Sequence, residues 1–246
     1  MASTSETGHA QNVAKLEELI GYCTGYGAAY NPSKASIKLT ALNTLLANAQ
    51  ASLTTLKAAK TAFDNGTNAR EIVFKPLKKL VTRAVNSLAS TDAAKQTVDD
   101  AIAINLTIQG RRAGGKPEAK KAKEGEPGKQ GKSASVSQQS FDSQVENFAK
   151  LIQTLTAEVL YKPNEPELQV ASLNTLLTSM KDKNKTADAV ITNLSNARIA
   201  RDKILYASNT GIYDIADAVK KYVLSVYSAG SPQHKQVSKI KFTNNK

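Results

Sequence analysis

The two halves of this sequence repeat one another at a fixed spacing of 131 residues. The hexapeptide ALNTLL at 41–46 recurs as SLNTLL at 172–177. The same spacing carries Tyr30 onto Tyr161 and Arg70 onto Arg201. A repeat of this length indicates two copies of one supersecondary unit, each with its own apolar face to bury. The chain is therefore expected to fold as a duplicated architecture.

Apolar side chains in both halves recur every three or four residues, which is typical of amphipathic helices. Leu42, Leu45 and Leu46 form such a stripe, and Leu173, Leu176 and Leu177 repeat it. Alternation of period two is confined to the C-terminal tail. The sequence therefore predicts an all-α fold class, with two tandem, internally duplicated up-down bundles of about four helices each. A basic Gly/Lys-rich linker is expected to join the bundles.

Composition and turn residues set the predicted boundaries. Residues 110–140 are rich in Gly, Lys and Ser and contain no aromatic side chain, which is typical of a flexible linker. The predicted domains are a mobile N-terminus at 1–11, a first bundle at 12–109, the linker at 110–140 and a second bundle at 141–246. The run DNGTN at 64–68 predicts the end of the long second helix of the first copy.

The sequence excludes several classes of protein. A single Cys and two His cannot form an internal disulfide or a zinc cluster of thiolates, so no metal and no cofactor are expected. The apolar runs are shorter than the ~20 residues that span a bilayer, and the first residues do not resemble a signal peptide. We therefore expect no membrane span and a cytoplasmic location, with export that uses no cleaved signal left open.

No catalytic residues are predicted, and the protein is expected not to be an enzyme. Phosphate-loop, nucleotide-binding, zinc-protease and esterase motifs do not occur in the sequence. His9 and His234 have no nucleophile or carboxylate at a diagnostic spacing, and solvent exposure is expected for both. Cys23 occupies an apolar helical position and is expected in the core. An enzyme with a cryptic site between the bundles remains a third, less favoured class.

Two pairs of polar residues occupy equivalent positions in the copies. Arg70 and Arg201 are each followed by an acid, which favours pairing with a carboxylate or a helix end; an anion or partner contact is the alternative. Asn43 and Asn174 sit inside apolar stripes. A buried amide that fixes helix register is favoured over a ligand contact for both.

Basic residues account for a net charge of +12 and form two clusters. One is a helical ridge at 75–83, and the other lies in the linker. The ridge consists of Lys75, Lys78, Lys79 and Arg83, and the candidate nucleic-acid contacts of the linker are Arg111, Arg112, Lys116, Lys120, Lys121 and Lys123. Such clusters can neutralise phosphates without reading sequence. Three glutamates interrupt the linker, however, which favours a solubilising tether.

These observations favour a non-enzymatic structural or scaffolding protein. Two equivalent bundles would offer helical surfaces to protein partners or for self-assembly. The alternative is a nucleic-acid-associated protein that binds without sequence preference through the linker and the ridge.

Overall fold

A computed structural model describes residues 4–111 and 139–244 of the chain. No β-strand occurs within these two ranges, so the predicted all-α class is confirmed. The α-helices in chain order are α1 (Thr4–Gly25), α2 (Leu39–Phe74), α3 (Leu77–Ala89), α4 (Lys95–Gln109), α5 (Phe141–Ala157), α6 (Val170–Tyr206), α7 (Ile212–Tyr227) and α8 (Pro232–Lys239). Short 3₁₀ turns at Ala35–Ile37 and Pro166–Leu168 precede α2 and α6.

Helix α1 begins well before the predicted start of ordered structure at residue 12. His9 lies within this helix and is only 3% exposed, and its Nδ1 is 2.7 Å from the Tyr206 hydroxyl. The prediction that His9 is exposed is therefore wrong. Residues 4–11 are mostly polar or small, so they form no apolar stripe that would predict a helix. The partner of His9, Tyr206, is far away in the sequence and has no local signature.

Helix α2 continues through residues 64–68, so the predicted break is wrong. Asp64 pairs with Lys60 one turn earlier, and Gly66 is buried. One glycine inside a helix costs only about 1 kcal/mol relative to alanine, which packing readily offsets. The resulting 36-residue helix is about 54 Å long.

The chain divides into two compact units that differ from the predicted domain boundaries. Unit 1 comprises Met1–Asp64 and Val190–Lys246, and unit 2 comprises Asn65–Ala189. Helices α2 and α6 each contribute residues to both units. Each unit therefore combines segments of the first and second halves of the sequence, whereas the prediction placed 12–109 and 141–246 in separate bundles.

Unit 1 is built on the packing of α1 against α7 and α8. Apolar side chains from the start of α2 and the end of α6 complete its core. Its fully or nearly fully buried members include Leu16, Leu19, Cys23, Leu42, Leu205, Ile212, Val219 and Val223. Cys23 is thus a core residue, as predicted.

Unit 2 is built on the packing of α4 against both α3 and α5. The end of α2 and the start of α6 supply further apolar side chains. Its buried members include Phe74, Leu77, Val81, Leu88, Ile108, Phe148, Leu151, Leu173 and Met180.

The two Tyr-x-Pro turns have the same local geometry. The Tyr30 hydroxyl donates to the Ile37 carbonyl at 2.7 Å, and the Tyr161 hydroxyl donates to the Leu168 carbonyl at 2.8 Å. Both tyrosines and both acceptor residues are buried. Burial raises the pKa of Tyr161 to about 12, so its hydroxyl keeps its proton and remains a donor at neutral pH. These bonds hold each loop against the helix that follows it.

The prediction of buried amides at Asn43 and Asn174 is wrong. Both side chains are exposed. Each donates instead to the carbonyl four residues earlier, Asn43 to Leu39 at 2.8 Å and Asn174 to Val170 at 3.0 Å. The stripes contain asparagine because the position lies beside the buried leucine and does not face the core.

Residues 112–138, most of the predicted linker, lie outside the described residues. The described residues on either side of this segment are close together. Gly110 ends α4 in the left-handed conformation (φ 81°), and the Gln139 amide donates to the Thr107 carbonyl at 2.9 Å. A Cβ on residue 110 would lie 3.1 Å from the Gln139 side chain. The segment thus joins two helices of unit 2 and does not connect separate units.

Loss of either turn hydroxyl is expected to destabilise the protein. Tyr30→Phe and Tyr161→Phe each leave a buried carbonyl without its donor, which should lower the free energy of unfolding by roughly 1–3 kcal/mol. Urea denaturation measures the change. Tyr213→Phe, at an exposed tyrosine, is the control. A change in either turn variant no larger than that of the control would contradict the role of the hydroxyls.

Replacement of residues 112–138 by six Gly/Ser residues should leave the fold intact, because the Gln139 side chain already bonds to the last turn of α4 at the Thr107 carbonyl. The shorter loop should raise the free energy of unfolding by about 1 kcal/mol, since its closure costs less entropy. Thermal and urea denaturation provide the measurement, with a 27-residue Gly/Ser segment as the length-matched control. A marked loss of stability in the short-loop variant alone would contradict the observed closeness of the ends.

Candidate partner-binding groove

An open groove of about 680 Å³ lies in unit 2 where α2 ends and α3 begins. It combines apolar, cationic and polar side chains from α2, α3 and α5. Its lining residues are Asn68, Glu71, Ile72, Phe74, Lys75, Lys78, Phe141 and Gln144.

The junction between α2 and α3 positions the groove. Pro76 separates the two helices and precedes the first residue of α3, a position that proline tolerates because no helical N–H is lost there. The Leu80 N–H bonds to the Pro76 carbonyl at 3.0 Å, so α3 starts immediately. Phe74 and Leu77 on either side of the proline are buried, whereas Ile72 is 70% exposed.

Helix α5 supplies the opposite wall. Ser140 caps its N-terminus by accepting the Ser143 N–H at 3.1 Å. This cap places Phe141 at the first position of the helix. The Phe141 and Phe74 rings meet edge to face, with centroids 4.8 Å apart and planes at 77°. The pair forms the apolar floor of the groove.

Arg70 contacts the aromatic floor without lining the groove itself. Its Cζ lies 4.1 Å from the centroid of the Phe141 ring, a cation–π contact. Its Nη1 donates to Asn184 Oδ1 at 3.2 Å and to Asp188 Oδ1 at 3.4 Å. Its buried Nε has no hydrogen-bond partner among the described atoms. Arg70 therefore links Phe141 of α5 to Asn184 and Asp188 of α6.

Arg201 lies in a different environment from its sequence equivalent. It is only 5% exposed, and its Nε and Nη2 contact Asp202 Oδ1 at 2.9 and 2.8 Å. Both arginines thus lie against carboxylates, which is the pairing that the sequence favoured. The structure places neither of them in the lining of the groove.

The basic ridge is divided by its contacts. Lys75 and Lys78 line the groove, and the Lys78 ammonium donates to Gln139 Oε1 at 3.1 Å. Lys79 is exposed and does not line it. Arg83 pairs with Glu167 at 2.8 Å, and its hydrogen bond lowers the pKa of that carboxyl. Two of the four predicted cations therefore belong to the candidate site.

The predicted linker cations contribute little to the described surface. Arg111 is exposed directly after α4, and its N–H bonds to the Leu106 carbonyl at 2.8 Å. The other candidate residues, Arg112, Lys116, Lys120, Lys121 and Lys123, lie outside the described residues.

The thiol of Cys23 is poorly suited to act as a nucleophile. Burial raises the pKa of the Cys23 thiol to about 11, so very little reactive thiolate forms at neutral pH. In residues 4–111 and 139–244, no three His, Cys, Asp or Glu side chains cluster in a way that could hold a metal ion.

None of the helices in the same ranges combines the length and hydrophobicity that crossing a membrane requires.

Sequence reasoning identified the lysines of the groove but not its apolar part. Ile72 falls outside the apolar stripe of α2, and an isolated isoleucine at such a position carries little signal. Phe74 and Phe141 are 67 residues apart, so their contact has no local signature. The proline at 76, which marks the helix junction, is the one feature that could have drawn attention to Ile72.

No protein-family model matches the chain, and no curated protein or solved structure is significantly similar to it.

Arg70→Met should destabilise the protein by roughly 1–3 kcal/mol. The change keeps most of the aliphatic length of the side chain but removes the donor to Asn184, whose side chain is buried. Urea denaturation measures the loss, and Arg198→Met, at an exposed arginine, is the control. Equal stability of the two variants would contradict a stabilising role for the Arg70 hydrogen bond.

Proposed function

We propose that this protein is a non-enzymatic scaffold whose unit 2 groove receives an acidic amphipathic helix from a partner protein. The observation that carries the proposal is the exposure of Ile72 beside the floor formed by Phe74 and Phe141. Large apolar side chains exposed next to a groove mark protein interaction sites more often than isolated ones do.

The apolar floor argues for side chains of a partner protein. Burial of an isoleucine is worth about 1.5–3 kcal/mol, so covering Ile72 provides a substantial part of the affinity of a modest complex. A volume of about 680 Å³ accommodates a few apolar side chains of a helix placed along the groove. Helices bind such grooves through residues spaced at i, i+3, i+4 and i+7.

The rim of the groove argues for an acidic partner. The charged residues of its lining are two lysines, Lys75 and Lys78, and one acid, Glu71. Both lysines are exposed, so their charges act mainly by steering the partner and selecting its sign, with a modest direct contribution to affinity. A helix with acidic residues beside its apolar stripe complements this arrangement.

Nucleic acid fits the same surface less well. Its phosphates would use the lysines, but the exposed Ile72 offers nothing to a phosphate backbone and Glu71 repels it. Arg83, which would extend the basic surface along α3, is already paired with Glu167. The groove therefore favours a protein partner over nucleic acid.

The non-enzymatic part of the proposal rests on the positions of the reactive side chains. Cys23 is in the core of unit 1, and His9 is buried against Tyr206. The groove of unit 2 is lined by amides, lysines, one carboxylate and apolar groups, without a nucleophile and base in hydrogen-bonded contact.

We further infer that the chain consists of two copies whose first helices are exchanged. The support is reciprocal packing: α1 of the first half packs against α7 and α8, and α5 of the second half packs in the unit of α3 and α4. The matching hydrogen bonds of Tyr30 and Tyr161 add a local correspondence at the 131-residue spacing. Such an exchange would make one scaffold from two interdependent copies.

Binding of a labelled helical peptide with leucines at i, i+3, i+4 and i+7 and flanking glutamates tests the groove. Ile72→Glu should weaken binding at least tenfold, because a carboxylate would replace the exposed apolar contact. Ile199→Glu, at an isoleucine that is 64% exposed elsewhere, is the matched control and should bind like the wild type. Fluorescence anisotropy provides the affinities.

A charge reversal completes the test. Lys75→Glu/Lys78→Glu should weaken binding of the acidic peptide and strengthen binding of a counterpart flanked by lysines. The control Lys181→Glu/Lys183→Glu, at exposed lysines of α6, should change neither affinity. Equal effects of the two double variants would contradict the proposal. Tight, salt-dependent binding of duplex RNA or DNA that is lost on Lys75→Glu/Lys78→Glu and unaffected by Ile72→Glu would replace it with the nucleic-acid function.

A further inference from the structure

A second cavity, of about 330 Å³, lies in unit 1, and three of its seven lining residues are lysines. It is formed by the middle of α1, the end of α8 and the segment that follows α8. Its lining residues are Lys15, Glu18, Tyr22, Gln236, Lys239, Ile240 and Lys241.

The three lysines of this cavity come from separate parts of the chain. Lys15 lies on α1, Lys239 ends α8 and Lys241 follows that helix. No ion pair within the described residues involves any of the three, although Glu18 lies in the same lining. Three ammonium groups and one carboxylate leave the cavity with a positive excess.

The segment that carries Lys241 is held firmly to the helices. The Asn12 side chain bonds twice to Thr243, donating to its carbonyl at 2.7 Å and accepting its N–H at 3.0 Å. The Lys220 ammonium donates to the Ile240 carbonyl, and the Ile240 side chain is buried. These hydrogen bonds therefore hold the backbone in place on both sides of Lys241.

Lys220 reports on the local charge. Burial lowers the pKa of its ammonium, and the nearby cations Lys241 and Lys15 lower it further, against an opposing effect of Asp217. The region thus contains more positive charge than its carboxylates neutralise.

We propose that this cavity binds a small oligoanion with two or three phosphoryl groups, held by Lys15, Lys239 and Lys241. Lysine ammoniums bind phosphates as compact point charges, and the Tyr22 hydroxyl and Gln236 amide supply neutral donors in the same lining. The volume lies at the lower end of small-ligand pockets, which suits a pyrophosphate or triphosphate group. This site lies in unit 1 and is independent of the groove in unit 2 and its peptide partner.

Calorimetric titration of the full chain with inorganic pyrophosphate and tripolyphosphate at low salt tests the site. Lys15→Gln/Lys239→Gln/Lys241→Gln should weaken binding at least tenfold. The charge-matched control, Lys34→Gln/Lys57→Gln/Lys235→Gln, removes three exposed lysines outside the cavity and should change affinity less than threefold. Both probes should also raise the melting temperature of the wild type, because they bind the folded state.

The same titration with ATP shows whether the ligand is a free oligophosphate or a nucleotide. Affinity equal to that of tripolyphosphate means that the site reads phosphates alone, and tighter binding means that a nucleotide is the ligand; both agree with the proposal. Equal weakening by the two triple variants, or no binding of any of the three probes, overturns it. If the cavity triple does not fold, Lys239→Gln, at an exposed position, carries the test with an expected loss of about threefold against Lys235→Gln.

Discussion

The uninterrupted course of α2 and α6 is the constraint on which the rest of the structure depends. Helix α2 places Leu42 in the core of unit 1 and Phe74 in that of unit 2, and α6 places Leu173 in unit 2 and Leu205 in unit 1. Because α2 and α6 each run from one unit into the other without a break, each core draws apolar side chains from both halves of the sequence.

The groove of unit 2 follows from how α2 ends. A helix that stops at Phe74 and restarts at Leu77 leaves its last turn only partly covered, so Ile72 remains exposed while Phe74 turns into the core. Arg70, one turn earlier, holds Phe141 in place through its planar guanidinium, which a lysine could not match in shape. The same few residues therefore end a helix, fill a core and form the proposed binding surface.

Local sequence patterns predicted the features that depend on residues close together in the chain. They failed for features that depend on contacts between distant residues. The helical stripes, the Tyr-x-Pro turns and the burial of Cys23 were accessible because each is set within a few residues. The continuity of α2 at Gly66, the burial of His9 against Tyr206 and the meeting of Phe74 with Phe141 depend on residues far along the chain. The exposure of Asn43 was missed because the apolar spacing locates the buried face of a helix only to within about one residue, and Asn43 directly follows the buried Leu42.

The hydrogen bond from the Gln139 amide to the Thr107 carbonyl bears on how the chain responds to cleavage. A protease that cuts once between Gly110 and Gln139 would leave one fragment with α1–α4 and another with α5–α8, with their shared cores still packed, since α4 and α5 remain in contact. Neither fragment alone has the apolar partners that complete either unit. The nicked chain would therefore persist as a non-covalent heterodimer, in which separation of the pieces and unfolding are one event.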